Sequence, residues 1–189
     1  MVIEQAVRAS NDLNIQDQKD VSVTLLSFNN LATTACPLAL DNYQRAYVWG
    51  ADKITQLLNA VLSFTQESND KDAYYMGTLL LHQKVGEKQS NLCVIDGQQR
   101  LTSLAVLYWL LNNKLPTHIQ FSFRSSRSVV NVQQAKQAMQ RWFANNNLEM
   151  NTLVGVFEQL RFTVISVSRE DLAFTFFDTQ NNRGVPLGS

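Results

Sequence analysis

The segment from Cys93 to Leu111, CVIDGQQRLTSLAVLYWLL, places a run of polar residues between two apolar runs. A strand that ends at Ile95 and a helix that begins near Gln98 would bring unpaired backbone N–H groups and the positive end of the helix dipole together at Gly97. Such helix starts bind phosphate and other anions, and a glycine there lets the ligand approach closely. The segment therefore predicts an anion site.

Four polar side chains of this segment suit phosphate chemistry. Arg100 offers a planar fork of donors that fits phosphate, and Asp96 could hold Mg²⁺ or polarise a water. Gln98 and Gln99 could orient a water or a phosphate oxygen, as a glutamine does in nucleotide hydrolases. The alternative is a tight turn in which Asp96 caps the helix and Arg100 forms a surface ion pair. The residues alone leave both open, because the segment matches neither a Walker loop nor a dinucleotide fingerprint.

A second stretch, YQRAYVW, runs from Tyr43 to Trp49. Its aromatic rings could stack a base while Arg45 contacts a phosphate. For the aromatic residues we favour the alternative, in which Tyr47 and Trp49 pack into the core under a loop. Arg45 would then remain exposed, and packing gives no reason for an arginine at that position.

A third stretch, FFDTQNNRGVPL, follows an apolar run near the end of the sequence. By itself it fits a helix that ends in a glycine C-cap at Gly184, with solvated polar residues beside it. Together, however, the three stretches each carry an arginine: Arg45, Arg100 and Arg183. If they converge, they would form a pocket for a polyanion such as a nucleoside triphosphate.

The elements that must position these stretches interleave strands and helices without a regular βαβ period, which predicts an α+β domain. Strands are predicted at 36–40, 74–83, 91–95, 118–123 and 161–167, with 74–83 and 91–95 forming a hairpin. Helices are predicted from the apolar stripe Ile54, Leu57, Leu58 and Val61, from the segment that begins at Gln98, and over 130–147, 153–160 and 168–184. Residues 21–28 fit either type of element. Ser168, three residues before Asp171, predicts a capping box.

The composition indicates one domain over residues 21–189 after a polar N-terminal arm at 1–20. Hydrophobic residues make up 45% of the 189, and the formal net charge is zero, which gives no support for broad, non-specific nucleic-acid binding. We interpret Cys36 and Cys93 as reduced core residues. No apolar run reaches the length of a membrane span, and the N-terminus lacks the apolar region of a secretory signal. We therefore expect a cytoplasmic protein without a membrane partner.

The three stretches together resemble one large bacterial family, which includes the N-terminal domain of the GmrSD type IV restriction enzymes. The family pattern is a YQRxYxW block, a GT strand, IDGQQRLT and a later F-x-x-x-N-x-RG-x-x-L. This chain carries YQRAYVW, YYMGTLLL, VIDGQQRLTSL and FFDTQNNRGVPL in that order. The resemblance covers the chain from about Pro37 to its end.

The resemblance implies a ParB/sulfiredoxin-like fold, a mixed sheet with packed helices, in which a Gly–polar–Arg turn at a helix start binds nucleotide phosphates. It also implies binding and hydrolysis of a nucleoside triphosphate, GTP or ATP with Mg²⁺, in a DNA restriction and phage-defence system. By position in the motifs, the implied catalytic residues are Asp96, Gln98, Gln99 and Arg100, with Asp96 as the metal ligand. The implied nucleotide-binding residues are Tyr43, Gln44, Arg45, Gly97, Arg100, Thr102, Asn181, Arg183 and Gly184.

The sequence also departs from the family pattern. Fuller members continue into a helical region and often into an HNH nuclease domain, whereas His82 and His118 are the only histidines here and neither has an HNH-like setting. We therefore expect a domain that lacks that C-terminal part and works with a separate nuclease domain or subunit. One alternative is a DNA-binding or DNA-modification-sensing module without its own catalysis, in which the same arginines contact DNA phosphates and Tyr43, Tyr47 or Trp49 takes up a base. Another is an interaction scaffold.

Overall fold

A computed structural model describes residues 20–32, 37–40, 45–69, 71–85, 90–117, 119, 123 and 125–183. The strands are β1 (Val21–Ser27), β2 (Leu38–Leu40), β3 (Tyr74–Val85), β4 (Ser90–Asp96) and β5 (Leu160–Val167). The α-helices are α1 (Phe28–Ala32), α2 (Ala51–Glu67), α3 (Gln98–Asn112), α4 (Ser126–Asn145) and α5 (Glu170–Arg183), and a 3₁₀ helix covers Met150–Glu158. The predicted N-terminal arm and Cys36 lie outside the described residues, apart from Asp20 at the end of that arm.

The five strands form one mixed sheet in the order β1-β5-β3-β4-β2. β3 pairs antiparallel with β4 and parallel with β5, while β1 pairs antiparallel with β5 and β2 parallel with β4. This sheet with its packed helices confirms the predicted α+β fold and the predicted β3–β4 hairpin. The likeness to ParB and sulfiredoxin stays a prediction.

The helices lie on both faces of the sheet. Side chains of successive strand residues point to opposite faces. Leu79 and Leu81 of β3 belong to the large core cluster with residues of α2, α3 and α4, whereas Leu80 packs with Ala173 of α5. Hence α2, α3 and α4 cover one face, and α5 covers part of the other.

α3 lies at the centre of this core, as its almost continuous apolar sequence predicts. Nine of its residues are buried, among them Leu101, Leu104 and Leu107 at 0% exposure. The predicted stripe of α2 is also confirmed, because the buried residues of that helix are Ile54, Leu57, Leu58 and Val61. Cys93 is a buried thiol on β4, as expected.

β1 forms one edge of the sheet within the described part of the chain. Residues 21–28, which fitted either type of element, form this strand up to Ser27, and α1 then begins at Phe28. All seven residues of β1 pair with β5. Val23 and Leu25 share one face and are both 62% exposed.

Two predictions need correction, and a third lies mostly outside the described residues. Ser168 does not cap α5, because its hydroxyl donates to Asp20 (3.2 Å) and the helix begins at Glu170. The helix predicted over 153–160 is the 3₁₀ helix 150–158, which ends where β5 begins. Of the strand predicted over 118–123, the structure describes Ile119, which forms an isolated bridge with Leu38, and Phe123. None of the described helices is both long and apolar enough to span a membrane.

Candidate functional site

β4 ends at Asp96, and α3 begins two residues later after a glycine turn. Gly97 is the N-cap residue and has a left-handed backbone, with φ at 87°. A Cβ at this position would overlap the Leu79 side chain and lie 3.1 Å from the Thr78 carbonyl oxygen. Both the backbone angle and the close approach of β3 therefore require a glycine here.

No side chain of the described residues caps α3. The proposed capping role of Asp96 is therefore wrong, and the carboxylate is half-buried beside the turn. The first intrahelical bond is donated by Leu101 to the Gly97 carbonyl (3.1 Å). The N–H groups of the first turn thus have no intrahelical acceptor, and they provide the anion-binding end of a helix that the sequence predicts.

Arg100 holds β3 rather than a surface carboxylate. Its guanidinium donates from Nη1 to the Met76 carbonyl and from Nη2 to the Thr78 carbonyl (3.1 Å). Between them, Gly77 has φ at 96°, and a Cβ there would overlap the guanidinium. Among the described residues Arg100 therefore pairs with backbone carbonyls and forms no surface ion pair. Since a guanidinium has five N–H donors, the remaining ones can still reach an anion.

Gln99 holds the loop that contains the second stretch. Its Oε1 accepts from the Val48 N–H (2.8 Å), and its Nε2 donates to the Ala46 carbonyl (3.1 Å). The amide therefore accepts from one backbone N–H and donates to one backbone carbonyl, as a residue of a neighbouring strand would do. This contact makes Gln99 a positioning residue for the loop Arg45–Gly50.

Tyr47 of this loop is buried in the core at 0% exposure. Its hydroxyl shares a hydrogen bond with Ser103 of α3 (2.8 Å). Its backbone N–H donates to Ser128 (3.1 Å), and its carbonyl accepts from Asn131 (2.7 Å), both on α4. Burial raises the pKa of Tyr47 to about 12. The favoured packing interpretation is confirmed for Tyr47, and Trp49 also packs against the core.

Arg45 is exposed, as expected, and it joins the second stretch to the third. Its guanidinium carbon lies 5.9 Å from the centroid of the Phe177 ring, a cation–π distance. Phe177 and Phe176 on α5 pack in one apolar cluster with Ile95, the residue before Asp96. Gln99 already contacts the residue after Arg45, so the first two stretches and the phenylalanines that open the third meet around the start of α3.

Gln98 and Thr102 lie one turn apart on the same side of α3. Gln98 is 6% exposed and Thr102 is 1% exposed. The Thr102 hydroxyl has no hydrogen-bond partner among the described residues. Buried polar groups are usually paired, and an unpaired one costs about 1–3 kcal/mol, so a partner for this hydroxyl is expected beyond the described residues.

The rest of the predicted set falls outside the described residues. This concerns Tyr43, Gln44 and Gly184 entirely, and the side chains of Asn181 and Arg183 at the end of α5. The described residues contain no group of three or more His, Cys, Asp or Glu that could hold a metal ion. Asp96 is the carboxylate next to the glycine turn at the start of α3.

Tyr75 and Gly77 on β3 are site residues that sequence reasoning missed. Tyr75 is 58% exposed, and its hydroxyl lies 3.3 Å from that of Thr78. Hydrogen bonds with Thr163 and Thr78 lower the pKa of Tyr75, and the charge of Arg100 adds to the effect. The signal was the segment YYMGT, in which a glycine interrupts an otherwise regular strand.

Fold and site together define a class: an α+β domain in which a glycine turn exposes a helix start between an arginine-bearing loop and a C-terminal helix. The sequence model of one protein family, the N-terminal domain of the GmrSD restriction endonuclease, matches residues 24–189. The chain belongs to this family, and it is thus a domain of a restriction and phage-defence system. No curated protein sequence gives a significant match.

Proposed function

We propose that this domain binds a nucleoside triphosphate at the start of α3 and hydrolyses it, and that this step controls DNA restriction by a nuclease domain or subunit in the bacterial cytoplasm. The observation that supports the proposal is that the loop with the exposed Arg45 lies at the uncapped start of α3, where Gln99 contacts it and the Phe177 ring lies 5.9 Å from its guanidinium. The N–H groups of that turn and the exposed Arg45 supply donors for phosphate oxygens. Arg100 keeps free N–H donors for the same purpose.

The carboxylate of Asp96 fits Mg²⁺ in such a site. Proteins hold this ion beside nucleotides with one or two carboxylates together with the phosphates, and the half-buried Asp96 meets that need. Bound Mg²⁺ would neutralise charge on the phosphates. Gln99 is hydrogen-bonded to the loop, so of the two glutamines it is the buried Gln98 that would orient the water.

The residues of the proposed site fall into those that would contact the ligand and those that position other groups. Arg45, Asp96, Gln98 and Thr102 would contact the nucleotide, the ion or the attacking water. Gln99 and Arg100 act first by positioning the loop and β3. Tyr43, Gln44, Asn181, Arg183 and Gly184 would complete the pocket.

A DNA-reading site at the same arginines is the weaker candidate. Among the aromatic residues that this alternative uses to take up a base, Tyr47 is buried at 0% exposure and held by hydrogen bonds to α3 and α4. The burial of this ring favours a compact phosphate pocket.

The test is a calorimetric titration of the full chain with GTP and with ATP, with and without Mg²⁺, together with an assay of released phosphate. We expect saturable binding by the wild type. Arg45→Ala should raise Kd by about 10- to 100-fold, because a charge-assisted hydrogen bond contributes about 1.5–3 kcal/mol. Lys71→Ala, which removes an exposed cation on the loop before β3, should leave Kd unchanged.

The role of Asp96 is tested by Asp96→Asn, which should remove the dependence of binding on Mg²⁺. Glu67→Gln, the same chemical change at the exposed end of α2, is its control. Absence of binding by the folded wild-type chain, or equal binding by Arg45→Ala, would rule out the pocket.

A further inference from the structure

Charge is distributed unevenly along this electrically neutral chain. Residues 97–148 contain no Asp or Glu, and their formal charge of +6 comes from Arg100, Lys114, Arg124, Arg127, Lys136 and Arg141. The remainder of the chain therefore carries a formal charge of −6. A segment of one sign in a balanced chain indicates a local surface for a partner of the opposite sign.

α4 carries three of these cations, of which Arg127 and Arg141 are exposed. Arg127, Gln134, Arg141 and Asn145 are all exposed and follow at intervals of seven, seven and four residues, so they form one stripe along the helix. At 1.5 Å per residue the stripe is about 27 Å long, with its two arginines about 21 Å apart. The opposite side of α4 is buried against the core through residues such as Ala135, Met139 and Phe143.

A groove of about 580 Å³ between α2 and α4 adjoins the stripe. Arg141 and Asn145 belong to both, and Thr55 and Asn59 line the α2 side. The Trp142 indole N–H donates to the Asn59 Oδ1 (2.8 Å). The Nδ2 group of Asn59 is the donor end of the same amide. No acidic residue lines the groove, so its polar atoms suit an anionic partner.

We infer that this stripe and groove bind the phosphate backbone of duplex DNA. Arginine, glutamine, asparagine and threonine are the side chains that commonly contact DNA phosphates and sugars. A surface for single strands would need exposed aromatic rings for base stacking, and Trp142, the aromatic residue of the groove, is only 5% exposed. The stripe and the groove share no residue with the proposed nucleotide pocket, and the inference does not rest on that pocket.

The test measures binding of the full chain to a fluorescent 20-base-pair duplex by anisotropy, between about 50 and 200 mM salt. We expect affinity to fall with salt. The Arg127→Ala/Arg141→Ala variant should weaken binding and reduce the slope of log K against log salt by about 1.8, since each lost phosphate contact contributes about 0.9. Its thermal unfolding should match the wild type, because both side chains are exposed.

The charge-matched control is Lys71→Ala/Arg169→Ala, which removes two exposed cations elsewhere, one before β3 and one before α5 on the other face of the sheet. We expect this control to keep the wild-type slope. Equal slopes for the two double variants would overturn the proposal. So would full competition by polyglutamate or by unlabelled single-stranded DNA at the same phosphate or carboxylate concentration.

Nucleotide titration of the same α4 variant separates this proposal from the first. Unchanged nucleotide binding with weakened DNA binding supports two independent surfaces. Loss of both activities together would show that the α4 substitutions act through the pocket, and it would overturn the DNA surface.

Discussion

The starts of α3 and α5 use similar polar residues in different ways. At the start of α3, Gln99 and Arg100 reach the backbone of the loop and of β3. At the start of α5, Arg169 pairs with Asp171 and Asp20, and these three side chains are 56%, 63% and 53% exposed. The carbonyls of Ala46, Met76 and Thr78 that these side chains contact are part-buried and have few other partners, whereas exposed carboxylates have water. We therefore expect the contacts of α3, and not those of α5, to hold the fold.

The largest effect is expected at Gly77. Gly77→Ala would place a Cβ where the Arg100 guanidinium lies and would strain a backbone with φ at 96°. We expect the free energy of unfolding to fall by about 3 kcal/mol, measured by urea denaturation. In an Arg100→Ala background the same change should cost less, because the overlap is gone. An equal cost in both backgrounds would contradict the clash.

A pH titration tests the burial of Tyr47. Its pKa is about 12 in the folded chain and about 10 when exposed, so the unfolded chain loses this proton first. The stabilising effect is complete below pH 10 and is lost between pH 10 and 12, by about 2–3 kcal/mol. Tyr47→Phe should remove this part of the pH dependence. If the variant follows the wild-type curve, the tyrosine is not buried as described.

A smaller effect is expected at Gln99. Gln99→Ala leaves the Val48 N–H and the Ala46 carbonyl without their partner, which should cost about 1–2 kcal/mol. Hydrogen exchange at the Val48 amide should accelerate in this variant. Gln133→Ala, at an exposed position of α4, is the matched control. Unchanged exchange at Val48 would show that the loop is held by other contacts.

The smallest effect is expected at the start of α5. Arg169→Ala removes two exposed ion pairs, and we expect no measurable change in the free energy of unfolding. A loss as large as that of Gln99→Ala would erase the distinction between the two helix starts.

The elements with strong apolar periodicity could be predicted from the sequence. The stripe of α2 and the apolar surface of α3 place both helices against the sheet, and the hairpin of β3 and β4 follows from two apolar runs around a short loop. The box signature at Ser168 was misleading, because Asp20, far away in the sequence, competes for its hydroxyl. Local patterns cannot anticipate such long-range partners.

The site could be predicted in location but not in the role of each residue. The loop Arg45–Gly50 lies at the start of α3, and Arg45 is exposed as expected, whereas the polar end of the third stretch lies outside the described residues. Yet the sequence presents Gln98 and Gln99 as equivalent, and only the fold shows that one is buried and the other pairs with a loop. Likewise, the partnership of Gly77 with Arg100 joins residues 23 positions apart, on a strand and a helix, and no local pattern indicates it.

Within the described residues β1 is an edge strand of the sheet, and this has a consequence for handling the protein. β1, VSVTLLS, contains no charge and no proline, the features that usually prevent edge strands from pairing with other chains. Val23 and Leu25 are also exposed on one face. We therefore expect the β1 strands of different molecules to pair in concentrated samples, which leads to aggregation. Val23→Lys, measured by light scattering, should raise the concentration at which the chain stays monodisperse.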